Sequence, residues 1–346
     1  MDIGIDSFAA LLPDSATGAL RSGAERMGEL IEEVEVADQV GLDVFGIGEH
    51  HRAEFLDSAP TLILAAAAAR TTRIRLTSAV TVLSAIDPVR AFEQFATLDL
   101  ISQGRAEIVA GRGSFGEAFP LFGLDPRNYD ELFAENLDLL LTLRETAYPT
   151  WEGRFRAPLT GQGVFPRPVQ DRIPIWLGVG GTPESFGRAG LMGLPLMVAI
   201  IGGSFDRFRP LVDLYREAGR RAGHDPATLK VGVHAVGFVD ETDRAAADAM
   251  FPGWAHLTGK VGRERGWSAP TRAQFDALIG PEGALLVGSP ETVAAKVVQA
   301  RDSLGGLDRL TFQMTTAAVE SAVMKRAITL IGAEVAPRVR AAVAAA

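Results

Sequence analysis

Short apolar runs rich in β-branched residues alternate along the chain with longer segments whose apolar residues recur at helical spacing. DIGIDSF (2–8) opens as a strand, and ERMGELIEEVEVADQVG (25–41) follows as an amphipathic helix that Gly41 stops. The unit then recurs. DVFGIG (43–48), RIRLTSAVTVL (73–83), RAEIVAG (105–111), IPIWLGV (173–179), LPLMVAII (194–201), KVGVHAVGFV (230–239) and DRLTFQM (308–314) read as seven more strands. The segments 59–71, 88–102, 130–146, 183–193, 205–223, 240–257 and 291–306 read as the helices between them. Eight parallel-type strands alternating with helices predict an α/β fold, a closed (β/α)₈ TIM barrel, because successive βαβ units turn with one hand and close at eight. An open doubly wound sheet is the alternative. At 346 residues the whole chain, 1–346, fits one barrel domain with insertions.

Three stretches interrupt the rhythm: 113–128, 148–173 and 259–289, all rich in Gly, Pro, Arg or aromatic residues. On the strand-to-helix side of a barrel such insertions would cover the active face as lids. The second helix, TLILAAAAA, is apolar on every side, so its outer face asks for cover. A second subunit packed through helices two and three would supply it, and so would an insertion.

Composition narrows the chemistry. The 47% hydrophobic and 22% charged content suits a sizeable core, and a formal charge of −9 without a basic cluster argues against nucleic acid or an anionic membrane as partner. With no cysteine, thiolate nucleophiles, disulfides and cysteine-ligated metals are out. The acidic start MDIGIDSF is unlike a secretory n-region, and the longest apolar run, 59–69, is too short to span a membrane, so a cytoplasmic protein is expected.

Glu49, His50 and His51 follow strand two, at the barrel end where active sites form. Neighbouring residues on an extended chain point opposite ways, so one imidazole can face the cavity as a general base while the other packs behind it. A structural pair bonded to loop carbonyls is the competing reading. No metal is expected, because His224, His234 and His256 stand at no ligand-like spacing. After strand four, Arg112 between Gly111 and Gly113 puts a guanidinium fork where a phosphate could approach, or where it could pair Glu117. After strand five, GGTPES (180–185) sets two glycines and Thr182 before a helix start, either an anion cradle or a tight turn with Thr182 as cap. Arg112 and this loop follow adjacent strands and could meet on one phosphorylated ligand.

These segments, GLDVFGIGEHHRAEF, LTSAVTVLSAIDPVR, ISQGRAEIVAGRGSFGEAFPLFGLD, IWLGVGGTPES and LVGSPETVAAKV, together resemble the bacterial luciferase-like flavin monooxygenases over nearly the whole chain. The resemblance implies the same barrel and FMN as cofactor. It implies His50 as the catalytic histidine, with Glu49 and His51 beside it. It implies Arg112, Gly113 and Ser114 together with Gly180, Gly181, Thr182 and Ser185 around the FMN phosphate. A non-proline cis peptide at Ala79–Val80 would lie beneath the flavin ring. Luciferase's own reactive cysteine is replaced by Gly111 and an active-site aspartate by Ala118, next to Glu117, which speaks against light emission. The implied reaction is monooxygenation of a small organic substrate by reduced FMN and O2, in a site shielded from water. The resemblance also implies that reduced FMN comes from a separate flavin reductase. Relatives that transfer hydride with a deazaflavin, and flavin binders without turnover, are the alternatives.

Overall fold

The computed structural model describes residues 1–13, 18–113 and 115–345. The barrel strands are β1 Asp2–Ser7, β2 Val44–Ile47, β3 Arg75–Ser78, β4 Ala106–Gly111, β5 Ile175–Val179, β6 Leu196–Ile200, β7 Val231–Val239 and β8 Arg309–Gln313. Each pairs parallel with its predecessor, and β8 pairs parallel with β1, so the sheet closes as the alternation predicts. The open-sheet alternative is thereby excluded.

The surrounding helices are α1 Gly23–Gln39, α2 Pro60–Ala68, α3 Pro88–Ser102, α4 Tyr129–Glu145, α5 Pro183–Leu191, α6 Arg209–Arg221, α7 Asp243–Glu264 and α8 Pro290–Ser303. Local chemistry sets their starts. Ser22 and Glu25 form a reciprocal capping box on α1, and Asp87 or Ser289 caps a first turn opened by proline on α3 and α8. After β8, where the apolar pattern predicts no further element, the chain forms helices Ser321–Leu330 and Ala336–Ala345 separated by a π turn at 331–335.

Opposite the active face the barrel is closed by charge. Arg309 at the start of β8 is 3% exposed, pairs with Glu107 of β4 and lies 4.4 Å over the Trp176 ring, while Arg75 of β3 takes the other side of the same carboxylate. Arg309 and Glu107 are both buried and multiply bonded, the condition under which an interior ion pair is tolerated. Above this floor Val109, Trp176 and Met197 fill the interior, with Val80 packed against them.

The insertions divide. Residues 113–128 and the excursion from α7 to α8 both leave and return at the strand-to-helix end. In the second, α7 runs seven residues past the expected end, to Glu264, a helix covers Arg272–Ile279, and Leu286–Gly288 adds a short strand to the end of β7. This insertion is therefore built largely of regular elements. Residues 148–173 are a correction to the lid expectation. They lie between a helix and the following strand, so they cannot begin at the active face. Instead they form a small hairpin, Thr150–Trp151 with Leu159–Thr160, held along α4 by Glu135, which accepts from the amides of Arg154, Phe155 and Arg156, and by Trp151 Nε1 donating to Asp138 at 2.8 Å.

Candidate active site

The turn after β2 carries the histidine pair and puts its two carboxylates to different uses. Asp57 is fully buried, and its carboxylate receives both the backbone N–H of His50 at 3.1 Å and the His50 Nδ1 at 2.8 Å. Burial raises the Asp57 carboxyl above its ordinary range, and the bonds from His50 oppose that rise. The bond at Nδ1 fixes the ring and leaves Nε2 turned away from Asp57. Phe8, Phe55 and Phe115 crowd the imidazole, with ring centroids 4.5, 4.6 and 5.5 Å away.

Glu49 is used differently. One oxygen accepts the backbone N–H of Val82 at 2.8 Å and the other lies 3.3 Å from His51 Nε2. The Glu49 bond raises the His51 pKa above its ordinary value, against the lowering effect of burial. The His51 ring meets Phe122 edge-on at 5.0 Å. His50 is thus held by a fully buried carboxylate with Nε2 directed away from it, while Glu49 holds His51 by Nε2 and ties β2 to the segment after β3. A small, partly open pocket is lined by Glu49, His50, His51, Val82, Gly113, Phe115, Glu117 and Ala118.

Arg52, two residues after His50, joins both active-face insertions to this turn. It pairs with Glu117, Glu54 and Glu264, and its guanidinium lies 4.7 Å over Phe115. Lys260 of α7 pairs with Glu54 at 3.0 Å. Sequence reasoning passed over Arg52 and Asp57 alike, since neither has a motif and their partners come from distant segments.

The Ala79–Val80 peptide is cis, and Val80 lies between two strand ends made of glycine. A Cβ on Gly111 would stand 2.6 Å from Val80 Cγ2, and one on Gly178 would stand 2.8 Å from Val80 Cγ1. Only glycine at both positions lets Val80 form an apolar shelf at the centre of the barrel mouth. Gly178→Ala is accordingly expected to overpack this contact and lower stability by ~1–3 kcal/mol, read as a fall in the midpoint of chemical unfolding. An unchanged midpoint would mean that Val80 moves aside at no cost.

On the neighbouring edge the two expected anion-binding segments do meet. Arg112 Nη2 donates to Ser185 Oγ at 3.2 Å and to Thr182 Oγ1 at 3.4 Å, and the two hydroxyls are 2.8 Å apart. Thr182 occupies the N-cap position of α5 without making a capping bond, so its hydroxyl is turned to the arginine instead of the helix. Among the described residues, none beyond its two chain neighbours comes within 4 Å of the Cβ position of Gly180, so the loop borders open space there. Arg112 pairs with Asp130, not with Glu117, and stacks 5.1 Å over Tyr129, whose hydroxyl donates to the Gly113 carbonyl at 3.0 Å. Gly113 in turn lines the cavity at His50, so the cluster and the imidazole border one mouth. Ser114 lies outside the described residues. A guanidinium, two hydroxyls and a helix start are the donor set a phosphate monoester takes, and the Val80 shelf beside them suits a flat aromatic ring. The described residues contain no group of three or more His, Cys, Asp or Glu side chains able to hold a metal. No helix among them is long and apolar enough to cross a membrane.

Comparison with known proteins places these features in context. The family model of luciferase-like monooxygenases matches residues 3–306. Among curated relatives, 4-hydroxyprotoasukamycin monooxygenase of Streptomyces nodosus subsp. asukaensis is 27% identical over 323 residues, 89% of this chain and 85% of that protein. An uncharacterised protein of Sinorhizobium fredii is 28% identical over 229 residues, 65% of this chain and 64% of its own length, and a second from the same organism is matched over 47% of its length. The fold is shared with a monooxygenase from Streptomyces bottropensis (TM-score 0.83, 24% identity, 97% and 99% of the two chains). It is shared too with the oxygenating constituent of 3,6-diketocamphane monooxygenase from Pseudomonas putida, solved with FMN (TM-score 0.77, 22% identity, 97% and 98%). The coenzyme F420-dependent tetrahydromethanopterin reductase of Methanopyrus kandleri has the same fold (TM-score 0.71, 21% identity, 97% and 98%).

Proposed function

The chain belongs to the luciferase-like monooxygenase family, and from that premise we propose that it is an FMN-dependent monooxygenase, one barrel domain acting on a small organic substrate in the cytoplasm. The observation that carries the reading is the meeting of Arg112, Thr182 and Ser185 beside a cavity that holds His50. Reduced FMN, when bound, supplies the two electrons needed to place one atom of O2 in the substrate and release the other as water.

This chain's residues do the rest. Arg112 and the two hydroxyls, with Gly180 and Gly181 allowing close backbone approach and Gly113 lining the adjoining wall, would hold the phosphate, which competes with Asp130 for the guanidinium. Ala79 and Val80 would carry the ring. Phe8, Phe55 and Phe115 keep water from His50, whose Nε2 would hold or pass a proton while Asp57 fixes Nδ1. Glu49 and His51 would keep the β2 turn and Val82 in register. A separate flavin reductase would deliver the reduced cofactor.

Titration with FMN and with F420, followed by anaerobic reduction and mixing with O2, tests the reading. Binding of FMN and an oxygen-dependent absorbance transient before reoxidation are expected. Preference for F420 would point to hydride transfer, and FMN binding without a transient to a flavin binder without turnover.

The same proposal includes a homodimer through α2 and α3. Leu62 on α2 is 73% exposed, and Leu100 and Ile101 at the end of α3 are 44% and 46% exposed. Ala66 and Ala69 extend the uncovered surface of α2, and Thr61 bonds Gln94 between the two helices at 3.2 Å. Sedimentation should give a dimer for the native chain and a monomer for Leu62→Glu. A native monomer would remove the dimer from the proposal.

A further inference from the structure

A second imidazole–carboxylate pair stands inside the barrel. A Cβ on Gly232 of β7 would lie 2.5 Å from Met197 Sδ, which marks the inward-facing register that His234 shares. His234 Nδ1 is 2.5 Å from Asp6 Oδ2 of β1, and Thr311 Oγ1 of β8 donates to the same oxygen. The pair is 8% and 1% exposed. Among the described residues Asp6 Oδ1 is buried without a partner, and so is Oε1 of Gln313, which is in register with Asp6 across the β1–β8 pairing. His234 Nε2 makes no hydrogen bond to the described residues. Orphaned polar atoms of this kind cost ~1–3 kcal/mol each unless a ligand or water meets them. Here two of them lie on neighbouring strands, next to the unbonded His234 Nε2 on the strand beyond.

Their position joins them to the site at the barrel mouth. Gly46 leaves room for the carboxylate: a Cβ there would be 2.1 Å from Asp6 Oδ1 and 2.9 Å from the Ala79 Cβ, so Asp6 and Ala79 both close on the space over Gly46. Phe8 stacks on His234 at 5.7 Å with its plane 13° off parallel, and its ring is 4.5 Å from that of His50. Two imidazoles, each with Nδ1 tied to a buried carboxylate, therefore pack on one phenylalanine.

We propose that His234 is a second catalytic base, which takes a proton from a substrate hydroxyl held on the β7–β8–β1 wall, and that the substrate is a phenol or enol. With Nδ1–H given to Asp6, Nε2 presents a lone pair. The substrate O–H bond breaks with its electrons left on oxygen, a new N–H forms at Nε2, and Asp6 offsets the imidazolium charge. The Gln313 amide is placed to donate to the resulting oxyanion. Such an oxyanion is electron-rich, as a substrate that must accept an oxygen atom from the proposed FMN chemistry should be. The later oxygen transfer rests on that FMN reading, but the proton transfer itself needs no flavin.

The probe is 4-nitrophenol, whose visible absorption reports its ionisation, titrated at a pH below its solution pKa with and without FMN. The native protein should bind it as the phenolate. His234→Gln, which keeps a polar group near the Nε2 position but takes up no proton, should bind it within about threefold and as the neutral phenol. His234→Asn, which keeps a donor for Asp6 but falls short of the ligand, should bind about tenfold more weakly, the worth of one lost hydrogen bond. Asp6→Asn should reduce the phenolate fraction. A native protein that does not bind or ionise the probe overturns the proposal, and so does a phenolate band unchanged in His234→Gln. Failure of FMN to bind while ionisation still depends on His234 would overturn the cofactor reading alone. Normal FMN binding with ionisation independent of His234 would overturn this one alone.

Discussion

Arg112→Ala is expected to weaken FMN binding by about 10- to 100-fold, the worth of one or two charge-assisted hydrogen bonds to a phosphate at ~1.5–3 kcal/mol. The fold should be indifferent to the change. The ion pair that Arg112 makes within the protein has a partner, Asp130, whose side chain is 68% exposed, and such a pair contributes ~0–1 kcal/mol. The two effects therefore separate: a large loss in a flavin-fluorescence titration beside a nearly unchanged unfolding midpoint. Arg112→Lys should recover only part of the affinity, because an ammonium keeps the charge and loses the planar fork whose Nη2 reaches both Thr182 and Ser185. Asp130→Asn should tighten binding slightly by removing the competing carboxylate. Superimposable titration curves for the native protein and Arg112→Ala would sink the phosphate assignment, and with it the observation on which the functional reading mainly rests.

The range of each interaction decides whether it can be read from the chain. The strands were legible because burial on both faces of a parallel barrel demands near-continuous β-branched runs. The placement of Arg112 and residues 180–185 was legible too, since both follow adjacent strands at the same barrel end. The identity of their partners was not. Glu117, five residues from Arg112, is taken by Arg52, and the arginine turns instead to Asp130 at the start of the next helix. Asp57 and Asp6 escaped for the same reason. A carboxylate is recognised as an imidazole's partner only when packing buries the two together, and Asp6 is 228 residues from His234. The glycines at 111 and 178 read only as strand residues, Gly111 also as a flank of Arg112. Their requirement comes from a valine on a third segment, and only the closed barrel brings it there.

His50→Ala carries the largest expected effect: oxygen-dependent turnover of the reduced, FMN-loaded protein should fall by about 10²–10⁴-fold, the usual contribution of a positioned acid–base group, while FMN affinity stays within about threefold. The reason is geometric. Asp57, buried and bonded twice to this residue, holds the ring so that Nε2 alone can exchange a proton, and three phenylalanines around it keep that exchange from leaking to water. None of these contacts reaches the Arg112 cluster, so binding and turnover should part company in opposite senses in the two variants. Asp57→Asn separates orientation from chemistry. It leaves the imidazole in place but offers Nδ1 an amide, so the ring no longer has one fixed tautomer, and the turnover loss should approach that of His50→Ala. His51→Ala should cost less, because His51 Nε2 faces Glu49, which in turn fixes Val82. Stopped-flow absorbance of the reduced flavin after mixing with O2 reads all three. If His50→Ala reoxidises with the native time course and His51→Ala does not, the acid–base role passes to His51, and the Asp57 contact becomes a structural tie for the turn after β2.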